Sequence, residues 1–319
     1  MNAQQPNPLP VLKAAQLAQS EPQTQWLLDK LWAYSAVGIV GGPPKSCKTW
    51  LALDMAVSLA SGTPCLGLFP PRRPGRVLLY AAEDSQAILK QRLAAICNHR
   101  QLALADLEIF VITADHLRLD LLSDQKSLTR TVENLKPDLL LLDPLVRLHR
   151  INENDAGEVS GLLDYLRTLQ RQCQVAITLV HHTRKNNSSG PPGQTLRGSS
   201  DLHAWSDCSL YLRRRKNQFL LVAEHRASQS PPAVELSLVD GPHPHLEVVA
   251  GEPDFSGDLG EDILHLLKQA QAPVTRTAMR EQLKTRNERL GKALLHLEQC
   301  RLVEHSAEGW RIAVSGHVA

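Results

Sequence analysis

Gly42-Pro43-Pro44-Lys45-Ser46-Cys47-Lys48-Thr49 has the spacing G-x-x-x-x-G-K-[ST] of a phosphate-binding Walker A loop, with Cys47 standing where the second glycine is usual. The apolar run Val37–Gly41 precedes the loop, and a helix is predicted from Trp50 to Ala60. In such a strand–loop–helix unit, backbone N–H groups and the helix N-terminus surround the phosphates of ATP. Lys48 would reach the β- and γ-phosphates, and the Thr49 hydroxyl would ligate Mg2+. Cys47 leaves two arrangements open: a negative φ, or a small side chain turned away from the phosphates. A loop that no longer binds nucleotide is the alternative. At a helix N-terminus the Cys47 thiol is expected to have a lowered pKa.

A second carboxylate-bearing run answers the first. Asp138-Leu-Leu-Leu-Leu-Asp143 is an apolar strand ending in an acid, the form of a Walker B strand, and Asp143 would complete the Mg2+ site with Thr49. Hydrolysis also needs a carboxylate to orient and deprotonate the attacking water. In AAA+ proteins that glutamate follows the Walker B aspartate directly, but Pro144 occupies the place here, which disfavours that arrangement. Glu83, after the apolar run Val77–Ala82, is the candidate base, with Asp84 as the second choice. Glu83 could instead cap the helix predicted from Ser85 to Asn98, since acids favour helix N-termini.

These groups need elements to hold them. Strands are predicted at 37–41, 76–82, 107–112, 138–143, 175–181, 208–213, 219–224 and 234–239. Most are short apolar runs separated by helical stretches, the pattern of a mostly parallel sheet covered by helices. The last three follow one another without helices between them, so the sheet should finish in antiparallel strands. Before the core, residues 1–35 read as a polar lead-in with short helices at 11–18 and 25–34. The core is placed at 36–245, and a Pro/Gly-rich linker at 246–259, with the domain boundary near 255. Two polar loops, 152–157 and 185–198, follow strand ends, where α/β proteins bind ligands.

The bulk numbers bound the function. A chain of 319 residues accommodates one sizeable core and a smaller module. With 43% hydrophobic and 21% charged residues it should fold. A net charge of +2 means that any nucleic-acid affinity must come from local basic patches. The six cysteines show neither C-x-x-C pairing nor zinc spacing and read as free thiols. No signal peptide or membrane span is visible, so a cytoplasmic location without membrane contact is expected.

From about 25 to 240 the chain resembles the RecA-like core of RepA-type hexameric replicative helicases, relatives of the DnaB family. The resemblance rests on GGPPKSCKTW, YAAEDS, LLLLDPLVR, LVHHTRK, LRGSSDL and LVAEHRA. It implies a homo-oligomeric ring, a hexamer, with ATP bound between subunits, and a base glutamate after the strand that follows the P-loop helix. It also implies that His182, at the end of the strand after Walker B, senses the γ-phosphate, while His181 packs beneath the strand. Arg226, in Glu224-His225-Arg226, matches the family's arginine finger acting on a neighbouring subunit's nucleotide, although Glu224 departs from the family's lysine. Arg213, Arg214 and Arg215 are the alternative finger, or a solvated hairpin face. The family's channel loops imply single-stranded DNA contacts at Arg184, Lys185 and Arg197, without aromatic residues for base stacking.

The tail, 260–319, reads as a small winged-helix domain of three helices and a hairpin, with Ile263, Leu266, Leu267, Leu283, Leu290, Leu294, Leu297 and Leu302 forming the apolar face. Arg286, Arg289 and Lys292 lie at the helix that would enter a major groove, so duplex DNA and a protein partner are both open to it. The expected fold class is therefore α/β, a RecA-like P-loop core with a winged helix at its C-terminal end. The expected function is a DNA-dependent ATPase, a helicase or translocase in DNA replication. A nucleotide-switched DNA-binding regulator and an assembly or loading factor are the rivals.

Overall fold

The computed structural model describes residues 11–16, 25–151, 156–182, 200–215, 218–249 and 259–270, with 272–312 described in part. The described core strands are β3 (Val37–Gly42), β4 (Val77–Ala81), β5 (Ile109–Val111), β6 (Leu139–Asp143), β7 (Ala176–His182), β8 (Cys208–Arg215), β9 (Gln218–His225), β10 (Val234–Val239) and β11 (His245–Val248). They form one sheet in the order β11-β10-β9-β8-β3-β7-β6-β4-β5. From β5 to β8 all neighbours are parallel, and β8, β9, β10 and β11 then pair antiparallel. The predicted antiparallel ending is present, extended by β11. That strand takes up residues that the sequence reading assigned to the linker.

The central strands are apolar at nearly every position because both faces are covered. Side chains alternate between faces with the period of two that a strand imposes. Val40, Val77, Leu79, Leu139 and Leu141 pack with α1 (Lys48–Ser61) and α2 (Gln86–His99). Ile39, Leu78, Leu140, Leu142 and Leu179 pack with α3 (Leu122–Leu135), α4 (Ala156–Cys173) and α5 (Ser200–Trp205). Asp207 and Trp205 tie this second layer together: Arg167 donates to Asp207 at 2.6 Å, and Trp205 Nε1 donates to the Leu163 carbonyl at 3.0 Å.

The lead-in departs from expectation. Instead of a helix at 25–34 there is a hairpin of β1 (Trp26–Leu28) and β2 (Trp32–Ala33), paired Trp26 with Ala33 and Leu28 with Trp32. At 11–18 the described part holds only a 3-10 turn, Ala14–Gln16. Leu28, Leu31 and Trp32 are fully buried in the core, so tertiary packing overrides a helical pattern here. Lys30 and Ser35 take φ of 55° and 51°, left-handed conformations that no continuous helix contains. The core thus begins near residue 26. Gly38 is required where β3 passes beneath the hairpin: a Cβ there would lie 1.7 Å from the Cys208 carbonyl oxygen and 3.0 Å from Trp32.

The tail has its own apolar cluster of Ile263, Leu267, Met279, Leu290, Leu294, Leu297 and Val303. Its described elements are α6 (Leu259–Gln269), α7 (Arg276–Gln282), helical residues at 290, 294 and 297, and the hairpin of β12 (Val303–Ser306) with β13 (Gly309–Ile312). Among the described residues no helix is long and apolar enough to cross a membrane.

Candidate nucleotide site

β3, β4, β6 and β7 run parallel, so their carboxyl ends share one edge of the sheet, the edge where open α/β sheets bind ligands. The 43–47 loop leaves the end of β3 and turns directly into α1, whose first residue is Lys48. Gly42 starts that turn under close constraint, since a Cβ would meet Ser46 Oγ at 2.6 Å and the Leu212 carbonyl oxygen at 2.7 Å. Lys45 and Cys47 both adopt left-handed backbone, with φ of 61° and 62°. The negative φ considered for Cys47 is therefore excluded: the position keeps the glycine-like conformation although a side chain is present, at a steric cost of about 1–2 kcal/mol.

Burial pushes the Cys47 thiol up to about 11, against the lowered value expected at a helix N-terminus. Desolvation penalises the thiolate more than Arg214, Lys48 and Arg92 stabilise it. Burial also pulls Lys48 down to about 8, opposed by the charges of Asp143 and Glu83. Its Nζ donates to the Pro43 carbonyl at 2.8 Å, so the lysine lies over the loop it serves.

The Thr49 hydroxyl, at the start of α1, lies close enough to the Asp143 carboxylate, at the end of β6, to favour its charged form. Asp143 is buried, and desolvation raises it to about 6 in spite of Thr49 and Lys48. A buried carboxylate beside a hydroxyl is a hard-oxygen donor pair that suits Mg2+ and is unfavourable to leave ionised alone. Ser46 Oγ, buried in the same loop, has no hydrogen-bond partner among the described residues. The residues present therefore fit a phosphate-bound magnesium ion.

Glu83 lies in the turn after β4, near enough to Lys48 and Asp143 to influence both electrostatically. It does not cap α2. Ser85 does, its hydroxyl accepting from Ile88 N at 3.3 Å. Glu83 instead accepts a hydrogen bond from Arg147 Nε at 2.8 Å. Asp84 is paired to Arg92, whose guanidinium also stacks over Trp50 with its carbon 5.6 Å from the ring centroid. Of the two candidates, Glu83 is the more exposed, at 47% against 17% for Asp84. Arg147 is 64 residues from Glu83, and only the adjacency of β4 and β6 brings the two together, whereas Arg92 lies on α2 eight residues after Asp84.

His182 stands beside Gly42 in the pairing of β7 with β3, while His181 is buried next to Gly41. Arg226 is not brought to this edge. Cys208 pairs with both Gly38 and His225, so Arg226 follows the strand end opposite the loop. There it forms an ion pair with Asp207 at 3.3 Å and donates to the Ala204 carbonyl. The alternative cluster lies the other way: β8 passes Gly41 at Tyr211 and continues to Arg213, Arg214 and Arg215, with Arg214 acting on Cys47. Arg184, Lys185, Arg197, Arg286, Arg289 and Lys292 lie outside the described residues.

The family described as AAA domain (AAA_25) matches residues 3–188, more than half of the chain. The chain belongs to this AAA domain family. Within this AAA-family chain, Pro144 still follows Asp143, and the candidate base Glu83 sits just past the end of β4. A DnaB-like replicative helicase, described with its interactions with primase, is 16% identical with a TM-score of 0.53, over 67% of this chain. The chain spans 57% of the length of that helicase. A second solved structure, an isolated ATPase domain, is also 16% identical with a TM-score of 0.53, over 69% of this chain and 87% of that one. Identities this low establish the fold: the AAA-family core has the mostly parallel α/β architecture of RecA-like helicase ATPase domains.

Proposed function

We propose that the chain is a Mg2+-dependent ATPase that works as a homo-oligomeric ring, a hexamer, and drives a helicase or translocase on single-stranded DNA in replication. The observation that carries the ATPase reading is the gathering of Thr49, Lys48 and Glu83 around the buried Asp143 carboxylate, all within electrostatic reach of it. Thr49 and Asp143 would hold the magnesium ion, which when bound supplies positive charge against the phosphate oxygens. Lys48 leaves the Pro43 carbonyl to take the phosphates, and the backbone of 43–48 surrounds them. Glu83 accepts the proton of the attacking water, a role worth about 10²–10⁴ in rate. His182, beside the first loop glycine, reports on the γ-phosphate.

The likeness of the core to helicase ATPase domains supports the DNA reading, and the channel residues assigned to it are Arg184, Lys185 and Arg197. In the tail, the order of helices and hairpin supports a winged helix, with Arg286, Arg289 and Lys292 as its groove-facing residues toward duplex DNA or a protein partner. The test is ATP turnover with and without single-stranded DNA, alongside displacement of a forked duplex and mass measurement with ATP. DNA-stimulated turnover, assembly and unwinding are expected. A discrete footprint on duplex DNA without unwinding would favour a nucleotide-switched regulator instead, and nucleotide-gated capture of a protein alone would favour a loading factor.

A further inference from the structure

The contact between Arg147 and Glu83 joins the proposed base to the solvent-exposed surface. Directly after β6 the chain makes a 3-10 turn, Leu145–Arg147, anchored by the buried side chains of Leu145 and Leu148. Between those anchors Val146 and Arg147 face outward, and Arg150 follows, also exposed. The turn is fastened to the end of β4, because Ala82 N donates to the Asp143 carbonyl at 2.7 Å. Arg147 therefore presents an exposed guanidinium to solvent on one side, and on the other donates Nε to Glu83 Oε1 at 2.8 Å.

A carboxylate whose oxygen accepts from a guanidinium is fixed in direction, and that oxygen is occupied and less free to engage an attacking water. The pair is solvent-exposed, 62% at Arg147 and 47% at Glu83, so it is weak and open to competition. A phosphodiester competes well, since arginine pairs with phosphate oxygens in a matched fork geometry. We propose that Arg147 is a positioning residue that restrains Glu83 and gives it up when a nucleic-acid backbone phosphate takes the guanidinium. Arg150, exposed on the same segment, is the adjacent cation for that strand. This rests on the reading of Glu83 as the base, and supplies a physical route by which DNA would stimulate turnover.

The experiment compares the full-length parent with R147Q and R147K, using oligodeoxythymidylate as the probe. Arg147 is exposed, so both variants should fold, and thermal unfolding checks it. R147Q should raise DNA-free ATP turnover about two- to fivefold, the range a surface ion pair allows, and shrink the stimulation by oligodeoxythymidylate by the same factor. R147K, which keeps a charge but loses the fork, should fall between. Independently of activity, the slope of log affinity for the oligonucleotide against log salt should drop by about one in R147Q. Unchanged or slower DNA-free turnover in R147Q, or an unchanged salt slope, overturns the inference. The reading beneath it fails differently: E83Q would then keep parental turnover, and R147Q would still alter the rate in the E83Q background.

Discussion

His182 lies opposite Gly42 where β7 pairs with β3, so the last residue of one strand stands beside the first residue of the phosphate-binding turn. That pairing, with Asp143 on the next strand and Glu83 one strand beyond, sets four chemically distinct groups along a single sheet edge. The roles proposed for them predict separable effects.

Lys48→Ala removes the main cation over the phosphates and should abolish both nucleotide binding and turnover. Glu83→Gln should bind nucleotide with parental affinity and lose about 10²–10⁴ in turnover. Asp84→Asn, which breaks the pair with Arg92 beside Trp50, should cost stability more than rate. Nucleotide titration and steady-state turnover on the same preparations separate the three. Parental turnover in Glu83→Gln would pass the role of base to Asp84.

Asp143 gives a pH signature. Its folded pKa, raised to about 6 from an ordinary 3.8, means the folded protein holds the proton more tightly than the unfolded chain. Stability from this group is therefore present below about pH 4 and is lost as pH rises to about 6. Asp143→Asn should remove that loss and stabilise the nucleotide-free protein above pH 6, by an amount of the order of 2–3 kcal/mol, while abolishing turnover. Thermal unfolding at pH 4 and pH 7 without magnesium checks it. An equal effect of the substitution at both pH values rules the assignment out.

Cys47 should alkylate slowly at neutral pH, because its thiol is pushed up to about 11, and faster as pH rises toward that value. Modification should block nucleotide binding, and Mg-ATP should protect the thiol. Mass spectrometry of the Cys47 peptide reads both. Labelling at the same rate with and without Mg-ATP would place this thiol outside the nucleotide site.

Arg226 follows a strand end remote from its own loop, since Cys208 pairs with both Gly38 and His225 while the loop begins at Gly42. The offset along the sheet is about 13 Å, four residues at the usual strand rise. In the proposed ring, an effect on turnover would act on a neighbour's nucleotide. Arg226→Ala should bind nucleotide normally and lose turnover by the ~10³–10⁵ ascribed to arginine fingers. Mixing it with Lys48→Ala subunits should restore activity at composite sites, whereas mixing Lys48→Ala with Glu83→Gln should not. If mixed oligomers form and stay inactive, the test passes to Arg213, Arg214 and Arg215, which lie at the loop edge of the sheet.

The sequence by itself determined the mostly parallel sheet and which residues gather at its edge. Continuous apolar runs and the spacing around Lys48, Thr49 and Asp143 are local properties that survive without knowledge of neighbours. It also placed Glu83 at a strand end, and the antiparallel finish from Cys208 onward. What it could not decide depends on groups distant in the chain. Residues 25–34 carry a helical pattern, yet burial of Leu28, Leu31 and Trp32 against the sheet makes them a hairpin. Likewise β11 is a strand only because β10 offers it an edge. The Cys47 thiol looks acidic from its place at a helix N-terminus, but desolvation by the surrounding fold outweighs the nearby cations. The hold of Arg147 on Glu83 exists only because β4 and β6 are neighbours in space, which is a fact of strand order and not of sequence spacing.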